Sequence, residues 1–143
     1  MGIASASLGR GASLQAENIF GDYARQAEVY RSAKVAVNQA HFRRTRYYSD
    51  RLFRAMACGV PCVSQAVRGV EEDFIPGTHL LEWEDLPQLF RACDTLIDNP
   101  SRAASIGAAG AREALFKHST IARCRTLLDW AGVLSDRGEK AQD

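Results

Sequence analysis

The sequence contains no run of about 18 apolar residues, the length that a membrane-crossing helix requires. Its N-terminus has neither the basic start nor the apolar core of a secretory signal. Neither sign of charge is in large excess, since the formal net charge is only +1. This balance argues against bulk nucleic acid or an anionic membrane as a partner. Because no targeting segment is recognised, we expect a cytoplasmic protein.

Metal sites and disulfide bonds have little support in this sequence. The four cysteines are Cys58, Cys62, Cys93 and Cys124. None of them forms a Cys-x-x-Cys pair, and no histidine stands at ligand spacing from them. We expect reduced thiols that pack as small, mostly buried apolar groups, and we expect no metal and no cofactor.

The composition is that of one globular domain, since 46% of the 143 residues are apolar and 24% are charged. Residues 1–17 are rich in Ser, Gly and Ala without periodicity, so we expect a disordered N-terminal segment. The organised domain is expected over residues 18–134. Residues 135–143 are polar, and a flexible tail is expected there.

Short apolar runs predict three buried strands at residues 34–38, 61–64 and 79–83. Helices are predicted between and after them, beginning at capping residues such as Ser49 and Asp85. This alternation predicts an α/β fold with a parallel sheet and right-handed crossovers. A doubly wound domain normally has about five or six strands. The sequence therefore predicts a partial Rossmann-like sheet of about three strands flanked by helices.

Two helices in the C-terminal half carry apolar residues at helical spacing, which places those residues on one face of each helix. The first face contains Leu86, Leu89, Phe90, Cys93, Leu96 and Ile97, and the second contains Ile121, Cys124, Leu128 and Ala131. Another helix is predicted between them over residues 101–117, after the helix-breaking pair Asn99-Pro100.

The main candidate site is the junction of loop and helix at Tyr48, Ser49, Asp50 and Arg51, which follows the first predicted strand. Ligands of open α/β sheets bind beyond the carboxyl ends of the strands. A helix N-terminus attracts phosphate, Ser49 adds a hydroxyl donor, and Arg51 can bind a diphosphate bidentately. In a plainer interpretation, Ser49 only caps the helix and Arg51 is a solvated surface residue.

A second candidate is the loop after the next strand, with Gly69, Val70 and Glu71. Gly69 allows a ligand to approach the backbone closely, and Glu71 can accept hydrogen bonds from ribose or sugar hydroxyls. These residues are equally consistent with a turn glycine and a glutamate at the start of a helix.

Residues 41–48 interleave basic and aromatic side chains, a pattern that also occurs on surfaces for single-stranded nucleic acid. Only this one segment shows the pattern, and the domain is nearly neutral, so nucleic acid is disfavoured. A loop that binds a diphosphate and stacks on a nucleobase uses the same residue types. His41 is the histidine nearest the proposed site, and it is an auxiliary candidate.

Several motifs in order resemble one family. They are VYRSAKVAVN at residues 29–38, SDRLFRAMACGVP at 49–61, GVEE at 69–72, FIPG at 74–77, the stretch 85–100, and Gly-Ala-Arg at 110–112. Together they resemble the C-terminal domain of GT-B glycosyltransferases, especially the group that includes spore-maturation-type proteins. The resemblance covers residues 19–130.

The resemblance implies a nucleotide-diphosphate-sugar donor bound by this domain. It also implies an N-terminal domain for the acceptor, with catalysis in the cleft between the two. By position, residues 48–51 would contact the diphosphate, and Gly69, Val70 and Glu71 would lie near the donor sugar or nucleotide.

The chain departs from the family pattern in two ways. Many GT-B enzymes carry two glutamates separated by seven residues here, and the second usually contacts the ribose. This chain has Arg46 and Arg54 at those positions, and an arginine cannot accept a hydrogen bond. By comparison with the family, we also expect the first half of the donor domain and the acceptor domain to lie outside this sequence.

Two functions follow from these observations. The favoured one is a donor-binding part of a glycosyltransferase, active only when completed by the missing domain, a partner chain or self-association. The alternative is a non-catalytic nucleotide-binding or interaction module derived from such enzymes.

Overall fold

The computed structural model describes residues 3–4, 16–17, 21–40, 42 and 44–133. Within them, β1 (Ile3–Ala4) pairs antiparallel with β2 (Ala16–Glu17). This pair lies in the segment expected to be disordered. The other residues of that segment and the expected tail at 135–143 lie outside the described residues, so the domain boundaries stay predictions.

The main body is a three-stranded parallel sheet with helices around it, which confirms the predicted α/β class. The strands are β3 (Ala36–Asn38), β4 (Cys62–Gln65) and β5 (Leu81–Trp83), in that spatial order. The helices are α1 (Tyr23–Ser32), α2 (Asp50–Ala57), α3 (Leu86–Asp98), α4 (Pro100–Lys117) and α5 (Thr120–Trp130). A short 3-10 helix, Val70–Glu72, follows β4.

The helices begin where capping chemistry predicts. The side chains of Ser49, Asp85 and Ser119 accept backbone N–H bonds at the starts of α2, α3 and α5. Asp85 accepts from the backbone N–H of Gln88 at 2.7 Å, as in a capping box. In a capping box the Gln88 side chain would accept from the backbone N–H of Asp85, the N-cap residue. Here it accepts from the backbone N–H of Glu84 instead.

The parallel register brings the carboxyl ends of all three strands to one edge of the sheet. Asn38 of β3 is opposite Ser64 of β4, and Gln65 of β4 is opposite Trp83 of β5. Because β4 is central, the loop after β3 and the loop after β4 lie side by side. This carboxyl edge is where the fold can hold a ligand.

Two apolar clusters enclose the sheet. One contains Leu52 and Met56 of α2 together with Leu80 and Phe74, and the other joins Val63 and Trp83 to α3 and α4. α4 also crosses the amino ends of β4 and β5 through two buried glycines, Gly107 and Gly110. Close packing of α4 at the amino ends of the strands therefore helps to stabilise the fold.

Of the two predicted apolar faces, that of α3 is partly buried and that of α5 is exposed. On α3, Cys93 and Leu96 are buried and Leu89 is half-buried, but Leu86, Phe90 and Ile97 are exposed. No residue of α5 is buried, so its apolar face at Ile121, Cys124 and Leu128 is exposed in the described structure. Helical periodicity identified an apolar side of each helix, but three strands and one neighbouring helix cover only part of it.

Candidate functional site at the carboxyl edge

Ser49 and Arg51 lie together at the start of α2. The Ser49 hydroxyl oxygen accepts from the Arg51 backbone N–H at 3.2 Å and from its Nε–H at 3.1 Å. Ser49 is buried, and its own hydroxyl proton stays available as a donor. Within the described residues, no carboxylate pairs with Arg51. The cap and the arginine thus form a single positive, donor-rich corner.

Tyr48 contributes packing to this corner. Its ring makes edge contacts with Phe53 and Phe74, at centroid distances of 6.0 and 5.4 Å. The hydroxyl is buried beside the Asp73 carboxylate. Burial raises the pKa of Tyr48, and the nearby Asp73 carboxylate raises it further. Tyr48 is therefore neutral at physiological pH and anchors the loop just before α2.

Arg46 is held away from any ligand by internal ion pairs. Its guanidinium binds Asp73 through Nε at 2.9 Å and Nη2 at 2.8 Å, and it reaches Glu72 at 2.7 Å. The hydrogen bond from Arg46 holds the pKa of the Asp73 carboxyl below its usual value. Arg46 has a left-handed φ of 55°, and its backbone N–H donates to the carbonyl of Arg68 at 2.9 Å. It therefore ties together the loops that follow β3 and β4.

Arg54 also has internal partners. It pairs with Asp50 one turn earlier at 2.6 Å, donates to Gln26 of α1 at 3.1 Å, and stacks over the ring of Tyr23 at 4.8 Å. These contacts dock α1 against α2. Asp50, a predicted diphosphate-site residue, thus has a structural role as the partner of Arg54.

Gly69, Val70 and Glu71 have separate environments in the second loop. Gly69 has a φ of 80°, and a Cβ there would meet the Arg46 side chain at 3.0 Å. Val70 is buried in the core, whereas Glu71 is exposed. Only Glu71 of the three offers a side chain to a ligand.

A cavity of about 340 Å³ opens at the carboxyl edge between the two loops. Its lining residues are Ala40, Phe42, Arg44, Thr45, Gln65, Ala66, Val67 and Arg68. None of the residues predicted for the site is among them, although the cavity lies between the two predicted loops. His41 lies outside the described residues. The sequence thus indicated the correct edge of the sheet but not these side chains.

Buried polar side chains lie at the carboxyl ends of β3 and β4, which form the floor of this edge. The Asn38 amide donates to the Ser64 hydroxyl at 3.0 Å, and Gln65 follows on the same strand. Asn38 and Gln65 are only 7% and 8% exposed, yet the amide oxygen of each lacks a hydrogen-bond partner in the described structure. Buried polar atoms without partners are rare in folded proteins, so this floor has unused binding capacity.

The described residues show little sign of a metal site, a membrane span or a disulfide bond. Among its residues no group of three or more His, Cys, Asp and Glu side chains could hold a metal ion. None of its helices is long and apolar enough to cross a membrane. The four cysteines are unpaired: two are buried, Cys58 is half-buried and Cys124 is exposed, and burial raises the pKa of Cys62 to about 12.

Comparison with known proteins agrees with this geometry. The sequence matches the profile of a family described as glycosyl transferase-like over residues 11–129. The chain belongs to this glycosyl transferase-like family. The resemblance to GT-B glycosyltransferases is therefore confirmed, while the narrower spore-maturation group stays a prediction. No curated protein matches the chain significantly.

Solved structures share the fold of this glycosyl transferase-like domain. HepE from Anabaena, solved in complex with UDP, superposes with a TM-score of 0.63 at 14% identity, over 73% of this chain and 29% of HepE. Sucrose-phosphate synthase from Thermosynechococcus elongatus gives 0.51 at 23% identity, over 78% of this chain and 25% of that protein. The chain spans less than a third of either protein.

Proposed function

We propose that this chain is the nucleotide-sugar-binding part of a glycosyltransferase, which transfers a sugar from a nucleoside-diphosphate donor once the enzyme is completed. The observation that carries the proposal is the positive corner at Ser49 and Arg51, on the same sheet edge as an open cavity. A helix N-terminus with a free hydroxyl donor and an arginine without a carboxylate partner suits a diphosphate. The UDP bound to HepE, a protein of the same fold, supports this assignment.

The site residues have different roles in this proposal. Ser49 and Arg51 contact the diphosphate, while Tyr48 and Asp50 position the start of α2 through their packing and ion pair. Glu71 is the group in the second loop that can reach the donor sugar or nucleotide. Gly69 and Val70 set the path of that loop.

Completion by another domain or chain is part of the proposal. β3 is an edge strand among the described residues, and the side chain of Val37 in that strand is 55% exposed. An exposed apolar edge of a parallel sheet is a natural place for further strands to pair. An N-terminal domain, a partner chain or a second copy would supply them.

Titration of the purified chain with UDP, GDP and their sugars, followed by amide NMR, tests donor binding. We expect shifts at residues 47–52. Replacing Arg51 with Ala should weaken binding by about 1.5–3 kcal/mol, the range for a hydrogen bond to a charged group. Arg102→Ala is the matched control, because Arg102 also lies in the first turn of a capped helix, α4, whose Gly107 packs at the amino ends of the strands. Absence of these shifts at millimolar ligand would rule out donor binding at this corner.

A non-catalytic nucleotide-binding module is the second candidate. The internal ion pairs of Arg46 and Arg54 favour it, since these arginines replace the glutamates that the resemblance leads us to expect. A turnover assay on the chain alone tests the requirement for completion. We expect no sugar transfer by the chain alone, because positioning of donor and acceptor by two domains supplies roughly 7–11 kcal/mol of barrier lowering. Turnover above a heat-inactivated control would contradict this requirement for completion.

A further inference from the structure

The cavity at the carboxyl edge has its own set of binding groups, distinct from the helix start. We propose that Gln65 is a ligand-binding residue whose amide oxygen accepts a hydrogen bond from a hydroxyl of the bound nucleotide sugar, while Arg44 and Arg68 bind its phosphate. The inference rests on the proposed function and adds three residues to it. The hydroxyl belongs either to the ribose or to the donor sugar.

The arginines of the two loops fall into two groups. Arg46 has two carboxylate partners, so ion pairs within the chain balance its charge. Arg44 and Arg68 line the cavity, are exposed, and have no carboxylate partner among the described residues. Two unpaired guanidinium groups at the mouth of one cavity favour an anion, and phosphate is the anion that arginine binds bidentately.

Gln65 provides the neutral hydrogen-bonding group on the cavity floor. It is the last residue of the central strand β4, where register with Trp83 of β5 fixes its backbone. A side chain mounted on a strand is positioned more accurately than one on a loop. Its amide oxygen is buried and has no partner in the described structure, so the side-chain amide must turn toward the cavity for this oxygen to accept a hydroxyl proton from a ligand.

The acceptor role explains how the chain can bind a hydroxyl despite its two arginines. Arg46 and Arg54 are donors only and are already paired within the protein. Gln65 is the last residue of β4, the strand next to β3, and it lines the cavity together with Arg68. A neutral acceptor next to two cations adds no negative charge that would repel a diphosphate. The arrangement therefore combines anion binding and hydroxyl recognition within about 340 Å³.

Calorimetric titration with pyrophosphate, UDP and UDP-glucose tests the three residues separately. Arg44→Ala and Arg68→Ala should each raise Kd for all three ligands by roughly 10- to 100-fold. Gln65→Met keeps the size of the side chain but removes the acceptor. It should raise Kd for UDP-glucose by roughly 2- to 12-fold and leave pyrophosphate unchanged. An equal loss for UDP assigns the hydroxyl to ribose, and an unchanged Kd for UDP assigns it to the sugar.

A second measurement covers the case in which Gln65→Met fails to fold. In the wild-type chain, the side-chain amide signals of Gln65 should shift with UDP-glucose and remain in place with pyrophosphate. Wild-type affinity of Gln65→Met for UDP-glucose, or an equal loss for pyrophosphate, overturns the role of Gln65. If UDP shifts residues 47–52 but the Arg44, Arg68 and Gln65 variants bind normally, only this inference fails. If the wild type binds no nucleotide, both proposals fail.

Discussion

At the amino ends of the strands, Gly107 of α4 lies so close to Gly59 and Pro61 that no Cβ fits between them. At the carboxyl ends, the loops after β3 and β4 leave an open cavity above a buried amide oxygen without a partner. The first region is closely packed backbone against backbone, as protein interiors are. The second has unsatisfied polar groups and unpaired cations. The amino ends of the strands therefore contribute close packing to stability, and the carboxyl ends offer the groups for ligand binding.

The largest expected effect comes from filling the close-packed end. In Gly107→Ala, the new Cβ would overlap the carbonyl oxygen of Gly59, and backbone there cannot move as a side chain can. We expect the free energy of unfolding to fall by roughly 1–3 kcal/mol, the usual cost of overpacking, despite the better helix propensity of alanine. Urea denaturation followed by circular dichroism measures it.

Ser105→Ala is the matched control, because Ser105 is exposed on the same helix, two residues before Gly107. It should change stability by less than about 0.5 kcal/mol. If Gly107→Ala were as stable as the control, the close packing of α4 against the amino ends would be refuted. UDP binding by the folded fraction of Gly107→Ala should equal that of the wild type, because the cavity lies at the other end.

The same division explains which features the sequence could predict. Strand positions and the caps at Ser49, Asp85 and Ser119 depend on neighbouring residues, and the structure confirms them. The pairing of Arg46 with Asp73 joins residues 27 apart and depends on how two loops meet. No local pattern marks that contact. The sequence therefore does not predict that Arg46 is paired within the chain and unavailable to a ligand.

Gln65 and the exposed helix faces were missed for related reasons. In the sequence, Gln65 is one polar residue at the end of a predicted strand, and its burial depends on the register with β5. The exposure of Phe90 and Ile97 depends on how many strands α3 can cover. Such properties depend on the assembled sheet, so periodicity and spacing alone cannot supply them.

The smallest expected effect is a pH dependence at the far end of α4, where His118 ends the helix. Its ring packs against Phe53 and Phe74, and its Nε2 is buried without a partner in the described structure. Burial lowers the pKa of His118 below its usual 6.5, so folding favours the neutral ring. The stability that this ring contributes is present above pH 6.5 and is lost as pH falls through the lower folded-state pKa.

Thermal unfolding between pH 8 and pH 5 should therefore show a Tm that falls below about pH 6.5, the usual pKa of histidine. The ring is half-buried, so the change in unfolding free energy should be well under the roughly 1.4 kcal/mol per pH unit of one fully linked proton. His118→Phe keeps an aromatic ring in this cluster without a titrating group, and its Tm should fall less over the same range. The pKa of Asp73 is lowered from its usual 3.8, so this carboxyl stays ionised between pH 8 and pH 5 and does not change the Tm in that range. An equal fall in Tm for the wild type and His118→Phe would show that another group causes the acid sensitivity.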